Sequence, residues 1–74
     1  MPEISTKKIS ARNHLRGTVE DVVLGTVTAK VTVRVGENLI ESVITRQSVE
    51  EMEIKVGDTV TALIKSTEVM IMTE

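Results

Sequence analysis

Thr26-Val27-Thr28-Ala29-Lys30-Val31-Thr32-Val33-Arg34-Val35 is the stretch that decides the fold. Val27, Ala29, Val31, Val33 and Val35 fall on one side of an extended chain, and the threonines, Lys30 and Arg34 fall on the other. Alternation of this kind predicts a half-buried β-strand. Gly36-Glu37-Asn38 follows with residues that tolerate turn dihedrals, and Leu39 to Arg46 returns as a second strand, which predicts a hairpin. Upstream, Leu15 to Leu24 reads as a strand closed by Gly25, with Gly17 marking a bulge, a bend or a close backbone approach.

Downstream, Ser48-Val49-Glu50-Glu51 places a hydroxyl shortly before acidic residues. This capping-box pattern predicts a helix of one or two turns starting there. Ile54-Lys55-Val56-Gly57-Asp58 carries turn residues that stop it. Thr59 to Lys65 and Glu68 to Met72 read as two further strands. The sum is an all-β domain, a small five-stranded OB-like barrel with one short helix. Closure into a barrel removes the edge strands that so many valines would otherwise use to aggregate.

Composition points the same way. Twelve valines, seven isoleucines and ten threonines in 74 residues favour pleated surfaces. No Phe, Tyr or Trp is present, so the core lacks the large area each aromatic ring would bury. A chain this short hides only about 60% of its unfolded surface and needs reinforcement. With no cysteine and one histidine, disulfides and a zinc cage are excluded, which leaves self-association.

The net charge of -2 supplies no field to gather nucleic acid or an anionic membrane. No apolar run approaches the roughly 20 residues of a spanning helix, and Met1-Pro2-Glu3 lacks a signal-peptide core, so the expected location is cytoplasmic with no membrane partner. Residues 1–9 read as an N-terminal extension and residues 10–74 as a single domain.

Two short segments bracket the β pattern, Ile9-Ser10-Ala11-Arg12-Asn13 and Lys65-Ser66-Thr67. Each combines a cation with hydroxyl or amide donors, the chemistry that holds a compact oxyanion. Either segment alone would ordinarily be a solvated loop or strand end. Arg12 offers five N–H donors with a permanent charge, and Lys65 adds a second cation. Ser10, Ser66 and Thr67 can turn hydroxyls toward an anion, amides around Ala11 and Asn13 can form a nest, and the Asn13 side chain can also donate. Arg12 and Lys65 are far apart in sequence, so either one chain folds them together or two protomers each contribute one segment.

Ile9-Ser10-Ala11-Arg12-Asn13-His14-Leu15-Arg16-Gly17 resembles the opening of the molbindins, the small Mop proteins built from the TOBE-type domain. Gly25-Thr26-Val27-Thr28-Ala29-Lys30-Val31 resembles that family's second strand, Ser48-Val49-Glu50-Glu51-Met52 its short helix, and the run Ala62 to Ile71 its ending. The resemblance covers about Ser10 to Met72, with four blocks in family order. It implies an OB-like barrel, dimers that exchange strands, and assembly into a homo-hexamer. It also implies molybdate, or alternatively tungstate, held at subunit interfaces. The expected function is therefore non-catalytic oxyanion binding for intracellular storage and homeostasis, with Ser10, Ala11, Arg12, Asn13, Lys65, Ser66 and Thr67 as the binding residues. Met1 to Lys8 is longer than the family's usual short lead.

Competing readings carry less. A nucleic-acid-binding OB module would need aromatic stacking platforms in a basic groove, and this chain has neither. A regulatory oxyanion-sensing domain that docks on a transporter or transcription factor is the other alternative, with no discriminating residue. His14 has no nucleophile beside it and reads as a surface or interface residue. Glu20-Asp21 and Glu50-Glu51-Met52-Glu53 read as solvated acids rather than metal ligands, because neighbouring acids point to different faces. Lys30 and Arg34 share a strand face with threonines and read as an intersubunit polar layer in preference to a secondary anion patch.

Overall fold

The computed structural model describes residues 8–74. The chain runs β1 (Asn13–Leu24), β2 (Thr28–Val35), β3 (Asn38–Thr45), α1 (Arg46–Met52), β4 (Thr59–Ile64) and a 3-10 turn at Ser66–Glu68. The strands form one antiparallel sheet in the order β3-β2-β1-β4.

The deciding stretch folds largely as its alternation requires. Ala29, Val31 and Val33 are buried and join Val19 and Val49 in the core, with Val22, Val35, Ile40, Ile44, Ile54 and Val60 packed around them. Val27 and Thr32 are the exceptions, Val27 being 71% exposed and Thr32, on the polar face, being buried. A turn in which the Gly25 amide donates to the Thr28 carbonyl at 2.8 Å takes Val27 out of the strand, and its own carbonyl accepts from the Arg46 amide instead. Gly36 opens the β2–β3 hairpin at φ 62°, a left-handed dihedral that glycine adopts without penalty.

The long strand β1 serves two partners. Residues from Asn13 to Thr18 pair with β4, and those from Thr18 to Leu24 pair with β2, with an irregularity between Val19 and Asp21 that leaves Glu20 out of register. The bulge thus lies at Glu20, and Gly17 instead marks the close approach. A Cβ on Gly17 would fall within 2.9 Å of side-chain atoms of both Val33 and Val35, and closer still to the Arg34 carbonyl. Only a residue without a side chain lets β1 cross β2 here.

Two expectations are corrected. The helix is capped by Thr45, whose hydroxyl accepts from the Ser48 amide at 3.0 Å, so α1 begins ahead of Ser48. Ser48 is the donor in the cap, and its own hydroxyl accepts from that of Thr45 at 2.8 Å. The strand count also falls from five to four. Ser66–Glu68 turns into a 3-10 helix, and the following segment leaves the sheet with Met70, Ile71 and Met72 between 85% and 93% exposed. Within the described residues the two outer strands, β3 and β4, do not pair with each other. An apolar groove opens between them, lined by Val31, Val33, Ile40, Ile44, Ile54 and Val60 among others.

Helix α1 ends on Glu53, which sits at φ 54° and donates its amide to the Glu50 carbonyl at 3.2 Å. A left-handed dihedral costs a residue with a Cβ about 1–2 kcal/mol. Glu53→Gly should therefore stabilise the domain by up to about 1 kcal/mol once the added unfolded-state freedom of glycine is subtracted. Chemical denaturation of the two proteins checks this, with a shift of the midpoint to higher denaturant as the expected outcome.

Candidate functional site

The register of β1 against β4 brings the two cation-bearing segments to one end of the sheet. Asn13 pairs with Ile64 in the last rung of that ladder, so Arg12 lies one residue before β1 and Lys65 one residue after β4. One chain therefore juxtaposes what the sequence separates. Ser10, Arg12, Lys65, Ser66 and Thr67 are all exposed at this end, while Ala11 between them is buried.

Four cations among the described residues have carboxylate partners. Lys30 pairs with Glu41 at 3.7 Å, Arg46 with Glu50 at 3.1 Å and Lys55 with Asp58 at 3.4 Å, while Arg34 holds Glu20 with two prongs, the Nη2 contact being 2.8 Å. Lys30 and Arg34 are thus paired within the sheet of one chain. No carboxylate lies within ion-pair distance of Arg12 or Lys65 among the described residues. Two cations at one sheet end, without an acid to neutralise them, have the charge and donors that a dianion whose oxygens only accept would need.

Hydrogen bonds fix the backbone beneath these cations. The Asn13 Nδ2 donates to the Ile64 carbonyl at 3.0 Å, tying the start of β1 to the end of β4. That clamp takes up one of the two amide protons that sequence reasoning had assigned to an anion. The His14 Nε2 lies 2.7 Å from the Ala11 carbonyl, a partner that the sequence does not name. Its spacing of three residues from Ala11 was the available signal. Lys65 adopts an extended conformation and leads into the Ser66–Glu68 turn, which places Ser66 and Thr67 beside it.

The remaining candidates are quiet. Glu50 and Glu51 are engaged with Arg46 and with Gln47 respectively, the latter at 2.9 Å, and no group of three metal-ligating side chains occurs among the described residues. Hydrogen bonding from Arg34 holds the Glu20 carboxyl below its usual value and raises the guanidinium. A lowered carboxylate pKa adds stability above the ordinary glutamate range, and this is lost as pH falls through the folded-state value. The Tm gap between the wild type and Glu20→Gln should therefore be open near neutrality and close progressively in acid, as thermal melts across pH would show.

Fold and cationic end together place the chain among small all-β ligand-binding modules. A family model described as the TOBE domain matches residues 9–71, and the chain belongs to that family. Molybdenum-pterin-binding protein 1 of Clostridium pasteurianum is 49% identical over 65 residues, spanning 86% of this chain and 96% of that protein. A molybdate binding protein from Sporomusa ovata superposes with a TM-score of 0.86 at 40% identity, covering 90% of this chain and all of its own. The cytoplasmic molybdate-binding protein ModG, solved with molybdate bound, gives a TM-score of 0.83 at 37% identity, with 95% of this chain covering 50% of that one. These relatives are named as binding proteins rather than enzymes, in line with the non-catalytic expectation. No helix among the described residues is long and apolar enough to cross a membrane.

Proposed function

We propose that this chain binds molybdate, or alternatively tungstate, without transforming it, and serves as a cytoplasmic store of the oxyanion. The single observation that carries the proposal is the pair Arg12 and Lys65, set at one end of the sheet by the Asn13–Ile64 rung and lacking acidic partners among the described residues. Two positive charges balance a tetrahedral dianion. Hydroxyls of Ser10, Ser66 and Thr67 and the backbone around Ala11 and Asn13 supply further donors. The molybdate-binding relatives support the choice of ligand.

The exposure of Ser10, Arg12, Lys65, Ser66 and Thr67 favours a site completed by another subunit, since donors open to water on one side hold an anion weakly. A homo-hexamer built from strand-exchanging dimers supplies that second surface. Two features support exchange: the exposed apolar tail from Val69 to Met72, and the groove left open between β3 and β4. A strand from a second copy laid there would satisfy an edge and cover the apolar lining. Anion binding would then stabilise the assembly by mass action.

Calorimetric titration with molybdate, tungstate, sulfate and phosphate, with stoichiometry per protomer, tests the ligand. Heat from a group-six oxyanion is the expected result, and its absence removes the proposal. Mass measurements with and without molybdate test the interface, because an oligomer indifferent to the anion argues against shared sites.

A further inference from the structure

We infer that His14 is the positioning residue of the oxyanion loop, acting through the Ala11 carbonyl; this rests on the binding reading given above. An anion site built from donors is weakened by any carbonyl oxygen that can turn toward the ligand. Ala11 contributes such an acceptor from the middle of the loop, between the exposed Ser10 and Arg12. The His14 ring nitrogen Nε2 lies 2.7 Å from it in a half-buried contact. A carbonyl can only accept, so Nε2 carries the proton and donates. The ring thereby occupies the acceptor, holds it away from the anion, and fixes the backbone through which Ser10 and Arg12 are presented.

The anchor itself is firm. His14 is a β1 residue paired with Leu63 of β4, so its backbone is part of the ladder, whereas the loop it holds lies outside the strand. The neighbouring Asn13 clamp does the same for the Ile64 carbonyl, so two acceptors at this end of the sheet are both covered by side-chain donors. Sequestered acceptors beside unneutralised cations are what a dianion site requires.

The test compares molybdate affinity in wild type, His14→Gln, His14→Leu and Arg12→Ala. Gln keeps an N–H donor at comparable reach, and Leu keeps bulk without one. His14→Leu should bind roughly 5-fold more weakly, the worth of one net hydrogen bond, while His14→Gln stays within about 2-fold of wild type. Equal affinity in all three His14 forms, or equal loss in both variants, overturns the positioning role. An undiminished Arg12→Ala variant overturns instead the underlying assignment of the site. Long-range proton–nitrogen NMR of the wild-type ring gives an independent reading that needs no variant to fold. A proton on Nε2 is expected, and one on Nδ1 alone refutes the donation.

Discussion

Arg12→Ala should weaken molybdate binding by about 10- to 150-fold, the loss that follows when a charge-assisted hydrogen bond of about 1.5–3 kcal/mol is removed. The size of the effect follows from the environment of the guanidinium. Arg12 has no carboxylate to compete for it among the described residues, so its whole donor set is available to a ligand. Lys30→Ala is the matched control, because Lys30 lies in β2 beside Val23 and Val43 and already faces Glu41 at 3.7 Å. Its removal should change affinity by less than about 2-fold. Lys65→Ala should resemble Arg12→Ala, and the double variant should fall short of the summed losses if both cations meet one anion. Calorimetric titration of the four proteins measures all three relations; similar losses for Arg12→Ala and Lys30→Ala would move the site elsewhere.

Gly17→Val should destabilise the fold more than any surface change. The φ of Gly17 lies outside the left-handed region, so the constraint is space rather than dihedral freedom. The Arg34 carbonyl belongs to a strand hydrogen-bonded on both sides and cannot step back, and the Val33 and Val35 side chains belong to the packed layer. Forcing a side chain into this crossing costs about 1–3 kcal/mol for a first methyl and more for valine. For a domain of this size each kcal/mol lowers Tm by about 4–8 °C, so Gly17→Ala should already melt several degrees lower and Gly17→Val lower still. Differential scanning calorimetry gives the comparison, and an unchanged Tm for Gly17→Val would show that β1 can part from β2 without penalty.

Much of the sheet was legible because a period of two is written into β2 by Ala29, Val31 and Val33, and because Gly25 and Gly36 punctuate it. The ending was not. Val69, Met70, Ile71 and Met72 have the composition of a strand, yet a strand exists only where a partner edge accepts its hydrogen bonds, and among the described residues none takes them. Thr45 was overlooked as the cap because it also closes β3, and a residue that ends a strand gives no separate signal as the start of a helix. Glu53 shows no sequence sign of a left-handed dihedral, since glycine or asparagine would be the ordinary choice there. At the candidate site, donor chemistry was readable in Arg12 and Lys65, but their proximity required the β1–β4 register, which no local pattern encodes. The engagement of Asn13 with Ile64 and of His14 with Ala11 belongs to that same long-range pairing.

The two-partner arrangement of β1 also has a kinetic consequence. The β1–β2 and β2–β3 ladders join neighbouring segments through short turns and close with little loss of chain entropy. The β1–β4 ladder, by contrast, joins residues such as Asn13 and Ile64 that stand 51 positions apart. Contacts of that separation form late in folding and rest on what formed before them. The cationic end is therefore expected to form late and open early, and amide exchange should run faster in Asn13 to Arg16 than in Val31 to Val33.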